Sequence, residues 1–186
     1  MAVMNDNIYS AAEFTKVHTV NPDAFASPDR GPLGVIRGGN PHFFRGPAGR
    51  LWTQLTCNTK ELQELSDKLR DKAFPRVEII LSYAGATAGL IDALLKNGMD
   101  GIVIAGVGHG NYSQEIETGI QRCLEQGVFV VRATRVLAGG VTFDVEKPFD
   151  GQIVSGVLSP QKARILLMLA LTRFNTTEQL QKIFNR

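Results

Sequence analysis

Cysteine is scarce: the 186 residues hold only two, Cys57 and Cys123. Two thiols cannot build a disulfide framework, so the fold rests on its apolar core. No apolar run approaches the roughly 18 residues of a membrane span, and the opening MAVMNDNIYS lacks the apolar stretch of a signal peptide. The compartment, cytoplasm or periplasm, therefore stays open. Charge of one sign is missing too, since 20 Lys and Arg are interspersed with 18 Asp and Glu for a net charge of +2. A nucleic-acid binder shows a basic stripe, and none forms here. His18, His42 and His109 are scattered without metal-ligand spacing. No G-x-S-x-G places a serine nucleophile on a turn. No metal, cofactor, membrane or nucleic-acid partner is expected.

What remains is the composition of a soluble globular domain, 44% hydrophobic and 20% charged. The character of the chain changes near residue 75, and three regions are expected: 1–50, 51–75 and 76–186. Residues 22–50 hold five prolines and six glycines, which predicts turns with at most short strands. The start, AVM followed by Asn5-Asp6, resembles the tail of a strand entering a turn, so the beginning of the polypeptide is expected to be missing. Residues 1–50 are accordingly expected to lack partners and be poorly ordered in an isolated chain. Asn58 with Glu61, and Leu62, Leu65 and Leu69 on one face, predict a helix over 58–72.

From Val77 the pattern is regular. VEIILSY (77–83), GIVIAG (101–106), VFVVRAT (128–134) and part of GQIVSGVLS (151–159) predict four strands. Between and after them lie helices opened by Thr87, Ser113, Ser159-Pro160 and Thr176. Leu90, Ile91, Leu94 and Leu95 are read as the apolar stripe of the first, and Cys123 as core in the second. Strands that are apolar throughout, alternating with amphipathic helices, predict an α/β fold: a doubly wound parallel four-stranded sheet of Rossmann or flavodoxin-like type, preceded by an extended or β segment. Function in such sheets sits at the carboxyl ends of the strands, here 82–87, 105–111 and 132–140.

The stretch GIVIAGVGHGN (101–111) raises a nucleotide-binding reading, because strand, glycine turn and helix form a phosphate cradle. The dinucleotide fingerprint G-x-G-x-x-G breaks at Asn111, and the turn follows the second strand rather than the first. Where an acidic ribose ligand is expected the chain has Arg132 and Arg135, which keeps an NADP alternative open. The favoured reading is a tight turn that brings backbone close to a neighbour. His109, inside that turn, is read as a surface or supporting residue rather than a base. Asp144, Glu146 and Asp150 lie in the irregular segment after the third strand, where binding residues are often found.

VEIILSYAGA, GLIDALLKNGMDGIVIAGVGHGN, GVFVVRATRV, SGVLSPQKARILLMLALT and the final IFN together resemble the C-terminal domain of bacterial L-asparaginases, the glutaminase-asparaginase family. MNDNIYSAAEFTKVHT and GPLGVI are similar to the end of that family's N-terminal domain and its linker. The resemblance implies hydrolysis of the side-chain amide of asparagine, and to a varying degree of glutamine, without a cofactor. It also implies that a threonine nucleophile and its partners lie on G-G-T-I and H-G-T-D-T motifs, and this sequence contains neither GGTI nor TDT. No catalytic residue is therefore assigned to this chain. The family's C-terminal domain completes the substrate pocket of a neighbouring subunit through two positions, which fall here on Glu146 and Gly85. A carboxylate at 146 suits the α-ammonium of an amino acid. Glycine at 85 departs from the usual Asn or Ser and puts amide preference in question. The implied partners are L-asparagine, possible L-glutamine, and either a second copy or an N-terminal half. The competing expectation is a non-catalytic α/β binding or oligomerisation module.

Overall fold

The computed structural model describes residues 1–46, 73–143 and 151–185, together with residues 60, 63, 64, 66, 67 and 70. Most of the helix expected over 58–72 lies outside the described residues; Lys60, Gln63, Glu64, Ser66 and Asp67 are helical.

Strands β7 (Val77–Leu81), β8 (Gly101–Gly106), β9 (Phe129–Thr134) and β10 (Gln152–Val154) form a parallel sheet in the order β10-β9-β8-β7. The order is that of the chain and has no reversal point. Burial follows the period of two that a strand dictates. Ile80, Ile102, Ile104 and Val130 face one side, where Ile91 of α1 (Gly89–Lys96) and Ile116, Ile120 and Cys123 of α2 (Gln114–Glu125) cover them. Val77, Val103, Val131 and Ile153 face the other, against Ala163 and Leu167 of α3 (Pro160–Ala170) and Leu180 and Phe184 of α4 (Thr177–Phe184). The second face is thus covered by the two helices that follow the last strand, not by crossovers.

Three of the four expected caps hold. The hydroxyls of Ser113, Ser159 and Thr176 accept from the backbone N–H groups of Ile116, Lys162 and Gln179, and Pro160 opens α3. Thr87 does not cap α1. A turn closed by Ala86 N–H donating to Tyr83 at 3.0 Å carries the chain one residue further. Ala88 occupies the cap position with helical backbone and no side chain to contribute. Leu90 also departs from the expected stripe, being 59% exposed while Ile91 is fully buried.

Cys123 is core, as its place on the helix predicted, and burial pushes its thiol up from 9.0 to about 11. A raised pKa favours the protonated thiol in the folded state, so the folded chain keeps a proton that the unfolded chain has lost between about pH 9 and 11. Stability is complete below pH 9 and falls as pH rises through that window. The loss is on the order of 3 kcal/mol from this group once both states are ionised. Urea midpoints measured across that range are expected to fall more steeply for the native chain than for Cys123→Ala.

Residues 1–46 form turns and short strands, as expected. Strand β1 (Ala2–Met4) does not end in isolation; it turns through Asn5 and Asp6, both at positive φ (48° and 56°), and pairs back on β2 (Asn7–Tyr9). Two left-handed residues in succession make the turn whose twist suits a hairpin. Strands β5 (Gly34–Arg37) and β6 (Asn40–Phe43) complete an antiparallel sheet in the order β1-β2-β5-β6. A separate pair, β3 (Thr15–Lys16) with β4 (Phe25–Ala26), stacks Phe14 on Phe25 at 4.6 Å between ring centroids. This region docks on the parallel domain through two polar ties. Lys162 Nζ donates to the carbonyls of Ala12, at 2.8 Å, and Phe14, and Asp29 accepts from the backbone N–H of Gly139 at 2.7 Å. Burial lowers the Lys162 ammonium below the ordinary lysine range, and the Glu13 charge opposes that shift.

Candidate functional site at the carboxyl edge of the sheet

The three strand ends named from the sequence are linked to one another. Arg135 at the end of β9 donates to the Ser82 carbonyl beyond β7 at 3.3 Å, and its own N–H bonds the Gly106 carbonyl at 3.0 Å. Ser113 donates to the Ala86 carbonyl at 3.3 Å. The glycine turn lies at the centre. Val107 and Asn111 exchange both backbone hydrogen bonds at 2.8 Å, closing a loop of Gly108, His109 and Gly110.

Arg132 stands at the end of β9 with no solvent exposure, on the face that α1 and α2 cover. Its Nε donates to the Gly110 carbonyl at 2.8 Å. One terminal nitrogen reaches the His109 carbonyl at 2.9 Å and the Asn111 side-chain oxygen at 3.0 Å. Its guanidinium also lies 5.9 Å from the centroid of the Tyr112 ring. Burial raises the Tyr112 phenol, while the hydrogen bond with Gln152 and the Arg132 charge pull it back. Thr134 adds a bond at 2.6 Å to the Gly108 carbonyl. The turn therefore aims carbonyls inward at a cation. A phosphate cradle does the opposite, presenting free N–H groups outward. The NADP alternative rested on Arg132 and Arg135 as phosphate ligands, and both spend guanidinium donors on backbone carbonyls instead.

His109 is exposed, and its Nε2 lies 3.0 Å from the backbone nitrogen of Thr142 and 3.1 Å from that residue's hydroxyl. A hydroxyl against an imidazole has the spacing of a nucleophile and base. Here, however, the backbone N–H can only donate, so it already uses the Nε2 lone pair. The arrangement is a tether. His18 serves a local turn, accepting from Val20 and Asn21 at 3.2 and 3.1 Å. Among the described residues no group of three His, Cys, Asp or Glu could hold a metal ion.

Gly85 sits in an exposed turn beyond β7 at φ +82°, with nothing within 4 Å of where a Cβ would lie. Glu146, with Asp144 and Asp150, lies outside the described residues. A cavity of about 710 Å³ opens at the same edge, between the β3–β4 pair and the parallel domain, among Phe14, Phe25, Leu81, Leu137 and Val157. Neither Gly85 nor His109 lines it. Most of its charged groups are engaged within the protein: Glu13 with Arg30, Arg45 and Ser27, Asp29 with Gly139, and Lys162 with Ala12 and Phe14, while Lys16 lies over the Phe25 ring. It is the seam between the two regions.

Comparison with known proteins places these segments in a family. The model of the glutaminase/asparaginase C-terminal domain matches residues 76–184, well over half of the chain. The chain belongs to the glutaminase/asparaginase family. The asparaginase N-terminal model matches residues 1–49. The chain is 37% identical over 188 residues to L-asparaginase 2 of Escherichia coli (strain K12), a match covering 100% of this chain and 51% of that protein. It is 38% identical to L-asparaginase 2 of Bacillus subtilis (strain 168), covering 100% of this chain and 47% of that protein. With the glutaminase-asparaginase of Pseudomonas fluorescens biotype A the identity is 35%, over 99% of this chain and 49% of the relative. The chain thus spans about half the length of the curated relatives it matches. Two of the segments that carry the resemblance have packing roles here: AGVGHGN builds the arginine-held turn. SPQKAR caps α3, clamps the N-terminal region through Lys162, and joins Arg164 to the Val77 carbonyl at 2.7 Å.

Proposed function

We propose that this chain is the C-terminal part of an L-asparaginase, hydrolysing the side-chain amide of L-asparagine to L-aspartate and ammonia only when joined by the family's catalytic motifs. The observation that carries this reading is a pair of family matches in the family's order, over 1–49 and 76–184, in a sequence with neither GGTI nor TDT. Amide hydrolysis through a covalent intermediate needs a nucleophile with its base. In this reading the chain supplies recognition and an interface to a second copy or an N-terminal half. Glu146 pairs with the substrate's α-ammonium, and Gly85 leaves open a place that a side chain usually fills.

The test is ammonia release from L-asparagine. The purified chain alone is expected to give none, and clear turnover would overturn the claim that its chemistry lies elsewhere. Adding a family N-terminal half that carries GGTI and TDT is expected to restore activity. In that assembly Glu146→Gln is expected to lower kcat/KM about 10- to 100-fold, the effect of losing a charge-assisted hydrogen bond. Gly85→Asn is expected to fold normally, because asparagine tolerates positive φ and the space is open. It should also change the ratio of kcat/KM for asparagine over glutamine. An assembly that binds the N-terminal half but stays inactive would favour the non-catalytic module.

A further inference from the structure

We propose that the cavity between the β3–β4 pair and the parallel domain binds a small organic carboxylate with an apolar body. The site is separate from Gly85, which does not line it, and owes nothing to the reading of Glu146. Its volume of about 710 Å³ is that of a small-molecule site. Four large apolar side chains stand on its wall: Leu81 at the end of β7, Val136 and Leu137 after β9, and Val157 after β10. Each is more than half exposed. Phe14 and Phe25, stacked on one another, line it from the N-terminal region. Apolar side chains exposed singly are ordinary, but gathered around one concavity they mark a place for an apolar ligand.

Charge decides the kind of ligand. The lining carries four cations, Lys16, Arg30, Arg135 and Lys162, against two carboxylates, Glu13 and Asp29. Both carboxylates are satisfied within the protein, Glu13 by Arg30 and Arg45, and Asp29 by the Gly139 N–H. The cations are not balanced in the same way. Lys162 donates to two carbonyls and Arg135 to one, bonds that leave the charges in place. Lys16 lies 5.7 Å from the centroid of the Phe25 ring. Among the described residues, none of these three forms an ion pair. Surplus positive charge over apolar walls concentrates anions. A bare anion would leave the wall wet, and an uncharged apolar molecule would leave the surplus unbalanced. A carboxylate on an apolar body answers both. Lys16 and Arg135 are its charge partners, since both are exposed, whereas Lys162 is committed to the Ala12 and Phe14 carbonyls. A ligand held this way touches both regions at once and strengthens their docking.

Octanoate is the probe, titrated into the full chain by calorimetry at low salt. One saturable site with a Kd of about 0.1–1 mM is expected. At ten times Kd the melting temperature should rise by about 3–6 °C. Octylammonium, with the same apolar chain and the opposite charge, is expected to bind at least about tenfold more weakly. Lys16→Glu should raise the octanoate Kd about three- to tenfold, and Val157→Asp, which puts a like charge on the apolar wall, at least about tenfold. Val3→Asp changes an exposed apolar residue of β1 that does not line the cavity, and should leave the Kd unchanged. Lys16 and Val157 are both exposed, so both variants are expected to keep the native circular dichroism; if Val157→Asp unfolds, Lys16→Glu carries the test. No saturation by about 10 mM octanoate would overturn the proposal. So would octylammonium binding as tightly as octanoate, because charge would then play no part. A Kd unmoved by Lys16→Glu and Val157→Asp, or moved as much by Val3→Asp, would put the ligand elsewhere and overturn it as well.

Discussion

Replacing Arg132 with methionine is expected to lower the melting temperature by roughly 4–16 °C, as measured by circular dichroism at neutral pH. Methionine fills much of the space but donates nothing. The Gly110 and His109 carbonyls and the Asn111 side chain then lose a charged donor inside the protein. The buried Gly110 carbonyl left without its partner costs about 1–3 kcal/mol, and the part-buried His109 and Asn111 acceptors, nearer to water, cost less. The relief of no longer burying a cation offsets part of this, leaving a net loss of roughly 2–4 kcal/mol. A chain of this length shifts by about 2–4 °C per kcal/mol, which gives the stated change. Arg132→Lys should recover only a fraction, because an ammonium is a point donor and cannot span acceptors on three successive residues. A shift below about 2 °C in Arg132→Met would mean that the turn holds itself. The same variant bears on the nucleotide question, since a phosphate ligand would show its loss in binding and leave stability largely unchanged.

Arg132 also shows where sequence reading stops. An arginine in the apolar run VFVVRAT announces a buried or edge cation, but the acceptors that justify it are carbonyls more than 20 residues earlier. With those unseen, a phosphate stayed open as its partner beside the favoured reading of a tight turn. His109 is similar: its place in a glycine turn at a strand end was legible, whereas Thr142, 33 residues on, was not. What could be read was local chemistry. Ser113, Ser159 and Thr176 cap their helices because the hydroxyl and its N–H are three residues apart. Strand β8 matched its expected limits because a fully buried strand between glycine punctuations leaves little freedom. The N-terminal region was legible only as turns and short strands. Its strands run two to four residues, too short to display a period, and their register comes from pairing. Its docking depends on Lys162, about 150 residues from the carbonyls it binds. The family resemblance reached further than periodicity because it reads many such long-range constraints at once. It does not say what the individual residues do. The geometry adds their contacts: AGVGHGN is held by Arg132, and SPQKAR ties Lys162 and Arg164 to distant carbonyls.

The glycine turn yields the second large effect. Gly106→Ala is expected to destabilise the chain by about 3 kcal/mol or more in urea unfolding. An added Cβ would lie 2.4 Å from the Gly110 carbonyl carbon, 2.6 Å from its oxygen and 2.7 Å from the Asn111 oxygen. All three are backbone atoms, so no side chain can rotate away. That backbone is also held from behind, since the Gly110 and His109 carbonyls are bonded to Arg132 and Asn111 is paired with Val107. Accommodating the methyl therefore means opening the turn and releasing the arginine, which couples this prediction to the first. Gly108 provides the comparison within the same loop. It adopts φ +51° but has nothing within 4 Å of an added Cβ, so Gly108→Ala carries only the left-handed backbone penalty of about 1–2 kcal/mol. If Gly106→Ala proved no worse than Gly108→Ala, close backbone approach could not be the reason for the glycine. If the order holds, combining Gly106→Ala with Arg132→Met should cost clearly less than the sum of the two, because each breaks the same contact between the turn and β9.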